Sequence, residues 1–172
     1  SGAKAAADAQ LRSIEFRAVT ELNAKTQPQL LLGRNTVYVD AGPQEGSVVL
    51  WPDLQGDHYK PYVAEERNIG TEAEHPGYQG VMHARRPGED AYVVFRLDTP
   101  GDTTRIHYGG RLYNRAPGSR IAFSHSFDGG ATWTETYALT DTEQPWDVIR
   151  YVTADAPPGT RSALVKYLLQ SR

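Results

Sequence analysis

From Ala91 to the C-terminus the chain alternates apolar and polar residues in short runs, and each run ends in a turn built on Gly, Pro or Asp. A period of two places successive side chains on opposite faces of a strand, so it cannot be satisfied by a helix. The clearest case is 119–127. There Ile121, Phe123, His125 and Phe127 alternate with Arg120, Ala122, Ser124 and Ser126. Further strands are predicted over 91–97, 105–113, 132–139, 147–153 and 161–169. Thr99-Pro100-Gly101-Asp102, Pro117-Gly118, Asp128-Gly129-Gly130 and Pro157-Pro158-Gly159 punctuate them. A bulge or bend is predicted at Gly109-Gly110. Many short strands at close spacing, with no long amphipathic helix, predict an all-β fold, a β-sandwich (jelly roll) of antiparallel strands.

The N-terminal half reads less regularly. Residues 4–11 carry Ala5, Ala6, Ala7 and Ala9, a short N-terminal tail or helix, with 1–12 taken as a tail or linker joining a larger protein. Residues 14–19 and 36–40 alternate as strands. Residues 47–51 are almost continuously apolar, the pattern of a strand buried on both faces. A single domain is therefore expected over 13–172, with a long irregular segment at 52–80 that is rich in Pro, Gly, Tyr and His.

The 172 residues suit one ordinary domain and contain no cysteine, which excludes disulfides, thiolate nucleophiles and zinc–cysteine sites. The net charge of −3 argues against a nucleic-acid partner. No run approaches the roughly 20 apolar residues of a spanning helix, so no membrane span is expected. No Gly-x-Ser-x-Gly elbow, His-Glu-x-x-His pair or Walker loop is present.

Ser126-Phe127-Asp128-Gly129-Gly130-Ala131-Thr132-Trp133 has the makings of a compact hairpin. Asp128 can accept bonds from turn amides. Gly129 and Gly130 permit positive φ, and Trp133 can fold under the turn as an anchor to the core. This segment resembles the Asp-box, Ser-x-Asp-x-Gly-x-Thr-Trp, with Ser126, Asp128, Gly130, Thr132 and Trp133 at its positions. Asp-boxes are known from sialidases and other glycan-active β-proteins, where they are structural. One copy in a chain too short for a six-bladed propeller does not imply a sialidase. It implies a β-sandwich domain attached to a secreted carbohydrate-active enzyme.

Residues 91–97, Pro100-Gly101 and 106–108, with the ending 158–167, are similar to galactose-binding-like jelly rolls. Glu72-Ala73-Glu74 resembles the acidic pair that opens some calcium-binding carbohydrate-binding modules. A structural calcium is implied on that ground alone, with its ligands unassigned.

Sugar binding calls for flat aromatic platforms and planar polar partners. Trp146, Tyr59, Tyr62 and Tyr78 stand in or beside loops. Trp146, with polar neighbours, is expected to be exposed. Arg105, His107, Arg111 and Tyr113 share one face of a single strand, and Gly109 between them leaves a gap that a ligand could enter. That row fits a glycan-binding floor, a polysaccharide lyase site using Tyr, His and Arg, or a solvated strand face. His125, among apolar neighbours, is expected to be a core histidine satisfied by a neighbour.

The expected function is a non-catalytic, carbohydrate-binding-like accessory domain of a secreted or periplasmic bacterial polysaccharide-active protein. Its partners would be a polysaccharide or glycan ligand and a catalytic domain of the same polypeptide. A small β-jelly-roll lyase or glycoside hydrolase, and a structural interaction domain without glycan affinity, stay open as alternatives.

Overall fold

The computed structural model describes residues 47–71, 80–140, 142–143 and 145–172. The chain divides into two units, Ser1–Glu45 and Gly46–Arg172, and the described residues all lie in the second. The predicted elements at 4–11, 14–19 and 36–40, and the boundary at residue 13, lie outside the described residues.

Among the described residues, nine strands follow a single 3-10 turn at Lys60–Tyr62: β1 (Val63–Arg67), β2 (Ile69–Gly70), β3 (His83–Ala84), β4 (Tyr92–Asp98), β5 (Arg105–Tyr113), β6 (Arg120–Ser126), β7 (Thr134–Leu139), β8 (Asp147–Asp155) and β9 (Ser162–Gln170). Every pairing is antiparallel. A five-stranded sheet runs β1-β4-β9-β6-β7, and β2-β3 and β5-β8 form two-stranded sheets. The protein is all-β, with the two main sheets packed face to face.

Strand parity explains that packing. Phe123 pairs with Tyr167, and Val165 with Phe95, so these side chains share one face of the large sheet. The inward residues of β5, Ile106, Tyr108 and Leu112, meet Phe123, Leu139, Ala163 and Val165 in one apolar cluster. A second cluster, around Tyr59, Ile69, Ala91, Val93 and Phe95, is covered by Leu50, Leu54, Met82 and Ala84. Burial of this apolar area is the main stabilising term, at about 25 cal/mol per Å² removed from water.

Three expectations are corrected. Residues 47–51 form no strand: Leu50 packs on the second cluster, while Val48, Val49 and Trp51 stay exposed. An apolar run without alternation carries no information on which side is covered. Segment 52–80 is not wholly irregular, because it holds the 3-10 turn, β1 and β2. The sequence of β1, Val-Ala-Glu-Glu-Arg, hides its strand character because it is an edge strand with four exposed residues. Finally, β5 runs without a break from Arg105 to Tyr113, in unbroken register with β8. Register shifts lie elsewhere, between Phe123 and Ser124 of β6, opposite Thr136 of β7, and between Val63 and Glu65 of β1.

Candidate functional site

The outer face of β5-β8 gathers the most chemically useful side chains. On β5 the odd positions Arg105, His107, Arg111 and Tyr113 are exposed, and the even positions Ile106, Tyr108 and Leu112 are buried. Antiparallel pairing sets Asp155, Thr153, Tyr151, Ile149 and Asp147 of β8 opposite Arg105, His107, Gly109, Arg111 and Tyr113. Cross-strand pairs share a face, so the row on β5 is doubled by a row on β8.

At one end, the His107 and Tyr151 rings stack with centroids 5.4 Å apart and planes 7° from parallel. His107 Nδ1 shares a hydrogen bond of 2.9 Å with Thr153 Oγ1. In the middle, Ile149 is 69% exposed. Beside it the Arg111 guanidinium donates twice to Asp147, Nε to Oδ1 at 2.9 Å and Nη2 to Oδ2 at 2.6 Å. That pair holds the Asp147 carboxyl below the usual carboxylate range, chiefly through the bonds from Arg111. At the other end, Tyr113 meets the Trp146 ring edge to face at 4.9 Å. The Arg115 guanidinium lies 4.5 Å from the Trp146 ring centre and donates to Tyr113 Oη at 3.0 Å.

Two details of this face depart from expectation. Gly109 leaves no gap: a Cβ there would sit 2.0 Å from the Arg150 carbonyl oxygen and 2.7 Å from Tyr151 Cα. The β8 backbone fills that space. Trp146 is half-buried rather than exposed, because Tyr113 and Arg115 pack on it.

The other predicted sugar contacts lie elsewhere. Tyr59 is corrected from platform to core: it is 1% exposed and donates to Glu66 Oε2 at 2.8 Å. Burial, followed by the bond to Glu66, pushes its hydroxyl far above the usual tyrosine range. Tyr62 is exposed at the end of the 3-10 turn, leading into the edge strand β1 of the large sheet. Tyr78 lies outside the described residues. Sequence reasoning missed Tyr151, Ile149 and Arg115. The alternation Asp147, Ile149, Tyr151, Thr153 was the available signal, but its register against β5 was not.

The 126–133 hairpin closes on itself. Ser126 Oγ donates to Asp128 Oδ1 at 2.7 Å and accepts from the Gly130 amide at 2.9 Å. The Thr132 amide donates to Asp128 Oδ1 at 2.9 Å, and its hydroxyl to Oδ2 at 2.5 Å. These donors hold the Asp128 carboxyl far below the ordinary range, the Thr132 hydroxyl foremost. Gly129 and Gly130 take φ of 73° and 95°, as a tight turn of this kind requires. Trp133 does not enter the core. It lies half-buried on the opposite face of the large sheet, with the Lys166 ammonium 3.7 Å from its ring centre.

His125 is 7% exposed, and its Nδ1 lies 2.9 Å from Tyr108 Oη, so it has the expected neighbour. Burial lowers its pKa from the usual histidine value. Among the described residues, no group of three or more His, Asp or Glu side chains is placed to hold a metal ion. Glu72 and Glu74 lie outside them. No helix among the described residues is long and apolar enough to cross a membrane. The chain matches no family model and no curated protein.

Proposed function

We propose that this is a non-catalytic carbohydrate-binding domain whose ligand lies along the outer face of β5-β8. The carrying observation is the exposed row from the His107–Tyr151 stack, past Ile149 and the Arg111–Asp147 pair, to Tyr113 and Trp146. From His107 to Tyr113 the strand advances about 20 Å, at roughly 3.3 Å per residue. That length suits several linked sugar rings rather than one. Aromatic rings accept the apolar faces of pyranoses, and fixed guanidinium and carboxylate groups orient the hydroxyls. Arg111 and Asp147 cancel each other's charge, which favours a neutral polysaccharide, and Arg115 remains as a cation at the Trp146 end.

The closed hydrogen-bond network of the 126–133 hairpin supports the Asp-box reading, with a structural role for Asp128. Within this proposal the domain serves as an accessory module beside a catalytic domain of a secreted or periplasmic bacterial protein, in a jelly-roll topology. A structural calcium, its ligands unassigned, belongs to this reading, and a fall in melting temperature on adding chelator is its test.

The test of function is affinity electrophoresis on neutral, uronate and sialylated polysaccharides. Retardation on a neutral polysaccharide, lost in Tyr151→Ala, is expected. No retardation on any of them would sink the proposal and leave a scaffolding role. New absorbance from unsaturated products on a uronate polymer would instead establish a lyase.

A further inference from the structure

Beside the 126–133 hairpin lies a groove of about 230 Å³, on different elements from the β5-β8 outer face. His125, Phe127, Asp128, Thr134 and Pro157 contribute to its walls. The buried His125 ring is its most distinctive group. Among the described residues, no side-chain nitrogen or oxygen is both shut off from solvent and without a hydrogen-bond partner. His125 Nδ1 is bonded to Tyr108, whereas its Nε2 has no partner among the described residues. Nε2 therefore reaches solvent, and the groove is the opening that His125 lines.

The proton on this ring follows from its neighbours. The bulge in β6-β7 turns Thr136 so that its hydroxyl lies 3.2 Å from the Phe123 carbonyl oxygen, which can only accept. Thr136 spends its one proton there. Tyr108 Oη, 2.6 Å from Thr136 Oγ1, then donates to Thr136. The remaining contact is filled when His125 Nδ1–H donates to Tyr108 Oη. The opposite direction would take the Thr136 hydroxyl away from the Phe123 carbonyl. With Nδ1 protonated and the ring neutral, Nε2 carries a lone pair aimed into the groove.

We infer that this groove is a second binding site, for one neutral sugar ring, with His125 Nε2 accepting a ligand hydroxyl. The Thr134 hydroxyl, with no partner among the described residues, supplies a second polar contact on the same wall. Phe127 and Pro157 offer apolar surface to the ring carbons. The Asp128 carboxylate faces the groove with its oxygens already bonded to Ser126 and Thr132. Its charge repels anionic ligands, and three of its roughly four acceptor sites are already filled. The volume is below the several hundred Å³ of drug-sized pockets, which limits the ligand to about one ring. The site does not depend on the aromatic face.

The test is a titration of ¹⁵N-labelled protein with methyl glucoside, methyl galactoside and methyl mannoside, separately, and with glycerol and ethanolamine as controls. The inference expects saturable shifts of His125 Nε2 and of the Phe127 and Thr134 amides with one glycoside, at roughly millimolar Kd. Tyr151→Ala should leave these shifts intact, which separates this site from the aromatic face. Thr134→Val, an exposed change, should weaken the binding several-fold and leave the melting temperature unaltered. Four results would each overturn the inference: no saturable shift with any glycoside, an equal response to glycerol, tighter binding of ethanolamine, or a His125 ring protonated on Nε2 instead of Nδ1.

Discussion

Tyr151 stands opposite Gly109 across the β5-β8 ladder, yet its ring stacks on His107, with centroids 5.4 Å apart. Gly109 brings no side chain to this pairing, and the β8 backbone closes to 2.0 Å from where its Cβ would stand, so the Tyr151 ring leans diagonally along the strand. The flat platform thus depends on a residue that contributes nothing to it directly.

Tyr151→Ala removes the platform and little of the core. Affinity for the bound polysaccharide is expected to fall about tenfold, the equivalent of ~1.4 kcal/mol. The urea midpoint should stay near that of the parent. Trp146→Ala should lower both affinity and stability, because Tyr113 and Arg115 pack on that ring. Titration calorimetry paired with urea melts separates the two outcomes.

Gly109→Ala drives a Cβ into the Arg150 carbonyl, whereas a Cβ at Gly110 meets nothing within 4 Å. The first substitution should destabilise by about 1–3 kcal/mol, the range for overpacking. The second should change stability little. Equal melting curves for the two variants would contradict the close approach of β5 and β8.

Asp128→Ala should lower the melting temperature at neutral pH without changing polysaccharide affinity. The sign of its pH dependence follows from its depressed carboxyl. A carboxyl held lower in the folded than in the unfolded chain stabilises the fold above its unfolded value, about 3.9. That contribution is lost as pH falls through the folded value. The gap in melting temperature between parent and variant should therefore narrow steadily on acidification below about pH 4. A constant gap would place the effect in packing alone.

Lys166 lies between Trp133 and Tyr92, with its ammonium 3.7 Å and 5.5 Å from their ring centres. Lys166→Met keeps the aliphatic stem and removes the cation, at an expected cost of about 0.5–1 kcal/mol. Trp133 fluorescence during urea unfolding reads the change, and an unchanged midpoint would mean that the rings hold the hairpin without the charge.

How much of this was legible depended on the range of each interaction. The 126–133 hairpin was legible because its partners lie within eight residues. So was the exposed row Arg105, His107, Arg111, Tyr113, which follows from parity along one strand. The partner row on β8 was not, since Tyr151 meets His107 through a long-range register that no local pattern encodes. Tyr59 misled because a hydroxyl-bearing ring beside His, Lys and Pro looks solvated. Its burial is set by Ile69, Ala91 and Val93, distant in sequence. Segment 47–51 misled for the converse reason: apolar composition was taken as burial, and only Leu50 is drawn onto the core.

The β5-β8 sheet has only two strands among the described residues, and a two-stranded ribbon is marginal by itself. It is held by its underside, where Ile106, Tyr108 and Leu112 grip the large sheet, and by the Tyr167 hydroxyl donating to the Gly109 carbonyl at 3.2 Å. The ribbon is therefore expected to open before the large sheet, and its amides should exchange with solvent ahead of those at the centre of β4, β9 and β6. A chain laid across its outer face would clamp the two strands together. Ligand occupancy should then be readable as slowed exchange along β5 and β8, even at amides that touch no ligand.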